Sequence, residues 1–190
     1  MITKIRSEKK IVLAVASSGV ASLLLPRGRT APSRFKIPIE IDETSICAIK
    51  RGTMLAKLIQ KTSLIIWDEA PMTHRKHHLL DRTLRDLLSE QKPSNGRLPF
   101  GGKVVVLGGG FRHILQVIRK GSRASIVDAS ITNSPLWRHV TLLRLKINMR
   151  LLQNGLNERT RRDLEEFGNW ILDLGDGMCH TPKFSSRAKW

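Results

Sequence analysis

The sequence predicts an α/β domain with a mainly parallel sheet, and three observations predict it. Unbroken apolar runs recur at residues 11–16 (I-V-L-A-V-A), 64–67 (L-I-I-W) and, after Lys103, 104–107 (V-V-V-L). Runs this short suit strands buried on both faces. Segments with helical spacing separate them, and strands that alternate with helices assemble a parallel sheet.

Taken in order, residues 1–10 read as the end of a helix with Ile2 and Ile5 on one side. The strand at 11–16 follows. Ser17, Ser18 and Gly19 then turn the chain into a short helix closed before Pro26. Such a turn presents backbone N–H groups at a helix N-terminus, a phosphate-binding geometry. An ordinary serine N-cap is the plainer reading. Residues 26–38 form a basic loop in which Arg27, Arg29, Arg34 and Lys36 flank Phe35. Cations beside an aromatic ring suit a single nucleic-acid strand, the cations on phosphates and the ring on a base. The alternative places Phe35 in the core.

Residues 53–60 are expected to be a short helix feeding the strand at 64–67. Beyond it, Leu79, Leu80, Leu84, Leu87 and Leu88 recur at helical spacing, which core packing explains. His74, His77 and His78 lack the cysteine or acid that would complete a metal-ligand set. Residues 91–102 carry Pro93, Asn95-Gly96, Pro99 and Gly101-Gly102 and read as a loop. The strand at 103–107 ends in Gly108, Gly109 and Gly110, which let backbone approach a ligand or simply turn. Residues 139–145 are a fourth strand candidate. Residues 158–174 form an amphipathic helix with Leu164, Phe167, Ile171 and Leu174 inward. The tail to Trp190 shows no pattern.

The 190 residues suit about one domain. Lys and Arg number 33 against 16 Asp and Glu, a net charge of +17. Such an excess favours a polyanionic partner, most simply nucleic acid. Cys47 and Cys179 lie too far apart for a metal motif or a disulfide framework. No apolar run approaches the ~20 residues of a membrane span, so no membrane association and no stable protein partner is expected.

The chemistry concentrates where the run at 64–67 meets Asp68 and Glu69. Open α/β sheets bind ligands at the carboxyl ends of their strands. One carboxylate there holds Mg²⁺ through water. Its neighbour orients or deprotonates an attacking water. This is the pattern of a Walker B strand in a nucleoside-triphosphate hydrolase. A plainer reading has the acid cap the next helix.

Six ordered blocks carry a resemblance. They are V-A-S-S-G-V-A from Val15, R-F-K-I-P-I from Arg34, I-I-W-D-E-A-P-M from Ile65, F-G-G-K-V-V-V-L-G-G from Phe100, N-M-R from Asn148 and W-I-L-D-L-G-D-G from Trp170. Together they resemble the Pif-type superfamily 1 DNA helicases over residues 2–177, and most closely the helicase-like proteins of plant Helitron transposons. The resemblance implies a RecA-like P-loop domain of three layers. Residues 1–150 would be part of the first motor domain, 151–177 a helix leading toward a second, and 178–190 an unpatterned tail. It implies ATP-driven 5′ to 3′ unwinding with Mg²⁺, single-stranded DNA as partner, and a nuclear setting in repair, recombination or telomere maintenance, or a mitochondrial one.

It also implies roles by position. Asp68 would hold Mg²⁺, Glu69 would activate water and Arg150 would reach the γ-phosphate. Gly109 and His113 would lie at the nucleotide. Ser17, Ser18 and Gly19, with Arg29, Arg34, Phe35 and Lys36, would meet DNA.

The sequence departs from that pattern in named places. The phosphate loop G-x-x-x-x-G-K-[ST] occurs nowhere in the 190 residues. Gly110 stands for an Asp, His113 for a γ-phosphate-sensing Gln, Gln116 for a Pro and Pro32 for a His. The expectation is a truncated and hydrolytically inactive piece of a helicase with an incomplete sheet, or a catalytically dead remnant that still holds nucleic acid.

Overall fold

A computed structural model describes residues 1–42, 44–73, 76–110, 118, 121–152 and 157–178, without the side chain of Arg150. The chain divides into two compact units, Met1–Val140 and Thr141–Trp190.

The first unit opens with α1 (Ile2–Ser7), which leads into β1 (Ile11–Ala16). Next come α2 (Gly19–Leu23), β2 (Arg29–Thr30), α3 (Ala31–Phe35) and α4 (Met54–Lys61). β3 (Thr62–Asp68) is the longest strand and leads to α5 (Lys76–Ser89). β4 (Val104–Leu107) and α6 (Arg123–Asp128) complete the unit's regular elements among the described residues. The four strands form one sheet in the order β2-β1-β3-β4. All three pairings are parallel, with Ala16 opposite Asp68 and Trp67 opposite Leu107. The α/β class and the parallel sheet stand as expected.

Alternation sets the faces, because successive side chains of a strand point to opposite sides. Leu13, Val15, Ile65 and Trp67 enter one core cluster with Phe35, Ile59, Leu80, Leu84, Leu87 and Leu88. The leucine stripe on α5 is therefore the cover of that face. The other face is closed at β1, where Val12 is 4% exposed, and open at β4, where Val104 is 61% exposed.

Side chains fasten the segment leading into β4 to two neighbouring segments. Lys103 Nζ donates to the carbonyls of Gln60 and Thr62, each at 2.7 Å. Asp81 of α5 accepts the Phe100 N–H at 2.5 Å. The stretch 91–102, expected to be a loop, contains two 3₁₀ turns, Pro93–Arg97 and Pro99–Gly102, and Phe100 of the second is buried in the core cluster.

Two expectations are corrected here. Residues 139–145 are not a strand: His139 ends a 3₁₀ turn, residues 140–145 form no regular element, and Leu143 and Leu145 are 84% and 100% exposed. Their alternation is a β pattern, but a strand needs a neighbour to receive its backbone hydrogen bonds, and this segment pairs with none among the described residues. The fourth strand is instead β2, two residues inside the stretch read as a basic loop. That stretch also holds α3, with Thr30 as N-cap and Pro32 in the first turn. Proline there starts a helix instead of breaking one.

In the second unit, α7 (Glu158–Gly175) begins at Asn157, whose side chain accepts the Thr160 N–H at 2.7 Å. Its apolar stripe is not inward: Leu164, Phe167 and Ile171 are each 40–46% exposed, although Phe167 stacks on Trp170. The tail from residue 179, with Cys179, lies outside the described residues.

Candidate nucleotide and nucleic-acid site

Three strand ends meet at the carboxyl edge of the sheet, and backbone hydrogen bonds tie them together. The Ser17 N–H after β1 donates to the Asp68 carbonyl at 3.0 Å. The Gly108 N–H after β4 donates to the Trp67 carbonyl at 2.8 Å, and the Ala70 N–H returns to the Gly108 carbonyl at 2.9 Å. These bonds continue the ladder past the last paired residues, so the segments after each strand are held in register.

Side chains complete the junction. Trp67 is fully buried, and an indole N–H in that position needs an acceptor. It donates to Ser17 Oγ at 3.0 Å. The Ser17 hydroxyl in turn donates to the Glu69 carbonyl at 2.6 Å. Asp68 Oδ1 accepts the Glu69 N–H at 3.0 Å. Glu69 itself has left-handed backbone, φ 52 and ψ 35. A non-glycine residue persists there only when its surroundings hold it, and such positions cluster at functional sites.

The glycines beside this pair are required by space. A Cβ at Gly108 would lie 3.0 Å from Asp68 Oδ1. A Cβ at Gly109, whose φ is +142, would lie 2.5 Å from Pro71 Cδ. Gly109 must lack a side chain for the segment after β4 to lie against the acids, and at Gly108 a side chain would press on the Asp68 carboxylate.

The residues expected to meet DNA fall into distinct environments. Ser17 uses its hydroxyl within the junction, and Ser18 caps α2 by accepting the Ala21 N–H at 3.1 Å. The N-cap reading of Ser18 therefore stands. Gly19 is exposed, with open space where a Cβ would be. Arg29 is exposed at the sheet edge, paired in register with Val15. Lys36 is exposed at the left-handed end of α3.

Arg34 is half-buried, and burial together with the nearby Arg29 lowers its guanidinium pKa from the ordinary value. Phe35 is the correction in this group. Its ring is 0% exposed and packs against Trp67 with centroids 6.4 Å apart. A ring without accessible surface offers no face to a base, so the core alternative holds.

Arg150 lies in a 3₁₀ turn, Met149–Leu152, of the second unit. The expectation for His113 falls outside the described residues. Sequence reasoning missed the Trp67–Ser17 bond, although a tryptophan buried in a strand signals that its N–H must find an acceptor.

Among the described residues no group of three or more His, Cys, Asp or Glu is placed to hold a metal. A lone carboxylate fits Mg²⁺, which keeps most of its waters and takes its other ligands from phosphates. Among those residues, no helix is long and apolar enough to cross a membrane.

The model of the PIF1-like helicase family matches residues 1–185. The chain belongs to the PIF1-like helicase family. Its fold is similar to that of Bacteroides Pif1 bound to ssDNA, with TM-score 0.67 at 23% identity over 93% of this chain and 39% of that one. A second structure of the Bacteroides helicase, in complex with ADP-AlF3 and ssDNA, gives TM-score 0.67 at 20% identity over 94% and 42%. Pif1 helicase from Candida albicans gives 0.56 at 24% identity over 85% and 38%. No curated protein matches the chain. This PIF1-like chain thus spans about two fifths of the length of the solved helicases it matches.

Proposed function

We propose that the chain acts as the first motor domain of an ATP-dependent DNA helicase, with the Asp68–Glu69 junction as its hydrolytic end. The observation that carries this is the placement of both acids at the carboxyl edge of a parallel sheet, fastened through Ser17 to the strand beside them. Family membership supports it, as do the solved structures of Bacteroides Pif1 bound to ssDNA and to ADP-AlF3 with ssDNA.

In this reading Asp68 holds Mg²⁺ through water, and the metal neutralises charge that develops on the phosphates. The Glu69 carboxylate orients and accepts a proton from the attacking water. Gly109 and His113 lie against the nucleotide, and Arg150 approaches the γ-phosphate. Gly19, Arg29, Arg34 and Lys36 receive the phosphates of single-stranded DNA, while Ser17 couples that strand end to Glu69. Kinship with Helitron proteins, a nuclear location and work in DNA repair, recombination or telomere maintenance belong to the same proposal.

A second reading, nucleic-acid binding without hydrolysis, is favoured by one observation. The string G-x-x-x-x-G-K-[ST], whose backbone and lysine cradle phosphates, does not occur in the 190 residues.

Fluorescence anisotropy with a labelled oligothymidylate across a salt series tests the DNA contacts shared by both readings. Log affinity should fall linearly with log salt, at about −0.7 per phosphate contact. Arg29→Ala and Lys36→Ala should each weaken binding and shallow that slope by about one contact. Unchanged affinity in the double variant would remove this edge from the DNA path.

A further inference from the structure

A cavity of about 410 Å³ lies beside the amino-terminal part of β1, lined by residues 11–14 and by Arg6, Lys9, Lys10, Arg27 and Arg34. Its volume is that of a small-ligand site. It extends away from the acids along β1: Ala16 is opposite Asp68, and the lining residues Ala14 to Ile11 are two to five strand positions earlier, about 7 to 16 Å at ~3.3 Å per residue.

The cavity is framed as well as charged. Arg6 Nη2 donates to the carbonyls of Val12 at 3.2 Å and Pro26 at 3.3 Å, fastening α1, β1 and the turn after α2 around it. No acid lines it. Glu8 pairs with Lys10 at 2.7 Å from outside the lining. Arg34 Nε is buried and meets no hydrogen-bond acceptor. Its neighbour Arg29 adds repulsion and lowers its pKa.

Two of the cations stand on left-handed backbone, Lys9 at φ 59 and Arg27 at φ 57. Lys9 closes α1, with its N–H on the Arg6 carbonyl at 3.0 Å, where glycine is the usual and unstrained residue. Arg27 turns the chain ahead of Gly28, whose N–H reaches the Leu25 carbonyl at 2.9 Å. Long cationic side chains thus occupy positions that local conformation assigns to glycine, and both face one cavity. Backbone strain of this kind points to a functional demand on the side chain.

We propose that this cavity is a second anion site, one that takes phosphate groups at the end of the sheet opposite Asp68 and Glu69. The ligand chemistry is two or more phosphates on a flexible backbone, supplied by a single-stranded nucleic acid or by a free polyphosphate. The site shares Arg34 with the proposed DNA path and needs neither ATP nor hydrolysis.

The test is the double variant Lys9→Gly/Arg27→Gly in the full chain. It removes two cations and relieves both left-handed positions, so its melting temperature should be equal to or above that of the wild type. Each lost phosphate contact should weaken oligothymidylate binding about fivefold at 0.1 M salt and shallow the salt slope by about 0.7. Titration calorimetry with tripolyphosphate separates the sources. Loss of oligonucleotide affinity alone identifies the nucleic-acid backbone, and loss of tripolyphosphate binding identifies a compact polyphosphate. A folded variant that binds both probes as the wild type does overturns the site. That failure is distinct from a failure of the Arg29 and Lys36 variants, because neither residue lines the cavity.

Discussion

The indole N–H of Trp67 donates to Ser17 Oγ at 3.0 Å, and that hydroxyl donates onward to the Glu69 carbonyl at 2.6 Å. One buried strand residue therefore fixes the backbone of the acid proposed to activate water, through a residue on the neighbouring strand. Ser17→Ala should destabilise the fold by about 1–3 kcal/mol because it strands a buried indole N–H, and Trp67→Phe by at least about 1 kcal/mol, the bond plus the space left by the smaller ring. Because they share this bond, the double variant should cost less than the sum of the two. Urea unfolding of the four proteins measures the coupling, and strict additivity would deny the link.

Phe35 makes the next prediction. The ring is fully buried against Trp67. Phe35→Ala should lower stability by about 3–5 kcal/mol, as for a large aromatic cut from a core. Thermal melts beside anisotropy titrations check it. An unchanged melting temperature with weaker DNA binding would return the ring to the nucleic-acid site.

Gly109→Ala should be costly for two reasons. Its φ of +142 disfavours any side chain, and the new Cβ would meet Pro71 Cδ at 2.5 Å. A loss of about 1–3 kcal/mol is expected from strain alone. Gly19→Ala, with open space around it, serves as the control. Similar melting curves for the two variants would contradict the close approach of the segment after β4 to the acids.

Burial pushes the Cys47 thiol up to about 11 from 9.0, opposed only in part by its hydrogen bond with Thr83. A raised folded pKa means the folded state keeps the proton that the unfolded state releases first. Its stabilising contribution is full below pH 9 and is lost as pH rises from 9 to about 11. In a Cys179→Ser background, the urea midpoint should fall more between pH 8 and 10.5 than it does when Cys47→Ala is added. Equal falls would deny the burial of Cys47.

The fold was legible where one physical signal dominated. β1, β3 and β4 announce themselves as unbroken apolar runs, and the α5 stripe through Leu80, Leu84 and Leu87 repeats at helical spacing. The signal failed where tertiary context decides. Residues 139–145 read as a strand yet pair with none among the described residues. Arg29 and Thr30 carry no strand pattern and pair with β1. Of the site, Asp68 and Glu69 were legible from their position after an apolar run. The Trp67–Ser17 bond and the steric demand at Gly109 depend on neighbours distant in sequence, and Phe35 was ambiguous until its burial was known.

The exposed residues of the second unit bear on stability. Leu164, Phe167, Ile171 and Leu174 are each at least 40% exposed, as is Val104 in the first unit. The isolated 190-residue polypeptide should therefore melt broadly and at low temperature by circular dichroism. A sharp transition well above physiological temperature would show that these faces need no cover.

The central claim is that Asp68 and Glu69 form a hydrolytic end, and ATP hydrolysis by a chimera tests it most directly. Residues 1–177 would replace the matching segment of Bacteroides Pif1 in a protein that retains a phosphate loop and a second motor domain. The isolated 190-residue polypeptide should hydrolyse no ATP above background. The chimera should show DNA-stimulated hydrolysis that Glu69→Gln lowers at least about 100-fold, the scale of general-base catalysis, and that Asp68→Ala abolishes. A folded, DNA-binding chimera whose hydrolysis is absent, or is unchanged by Glu69→Gln, would contradict the account.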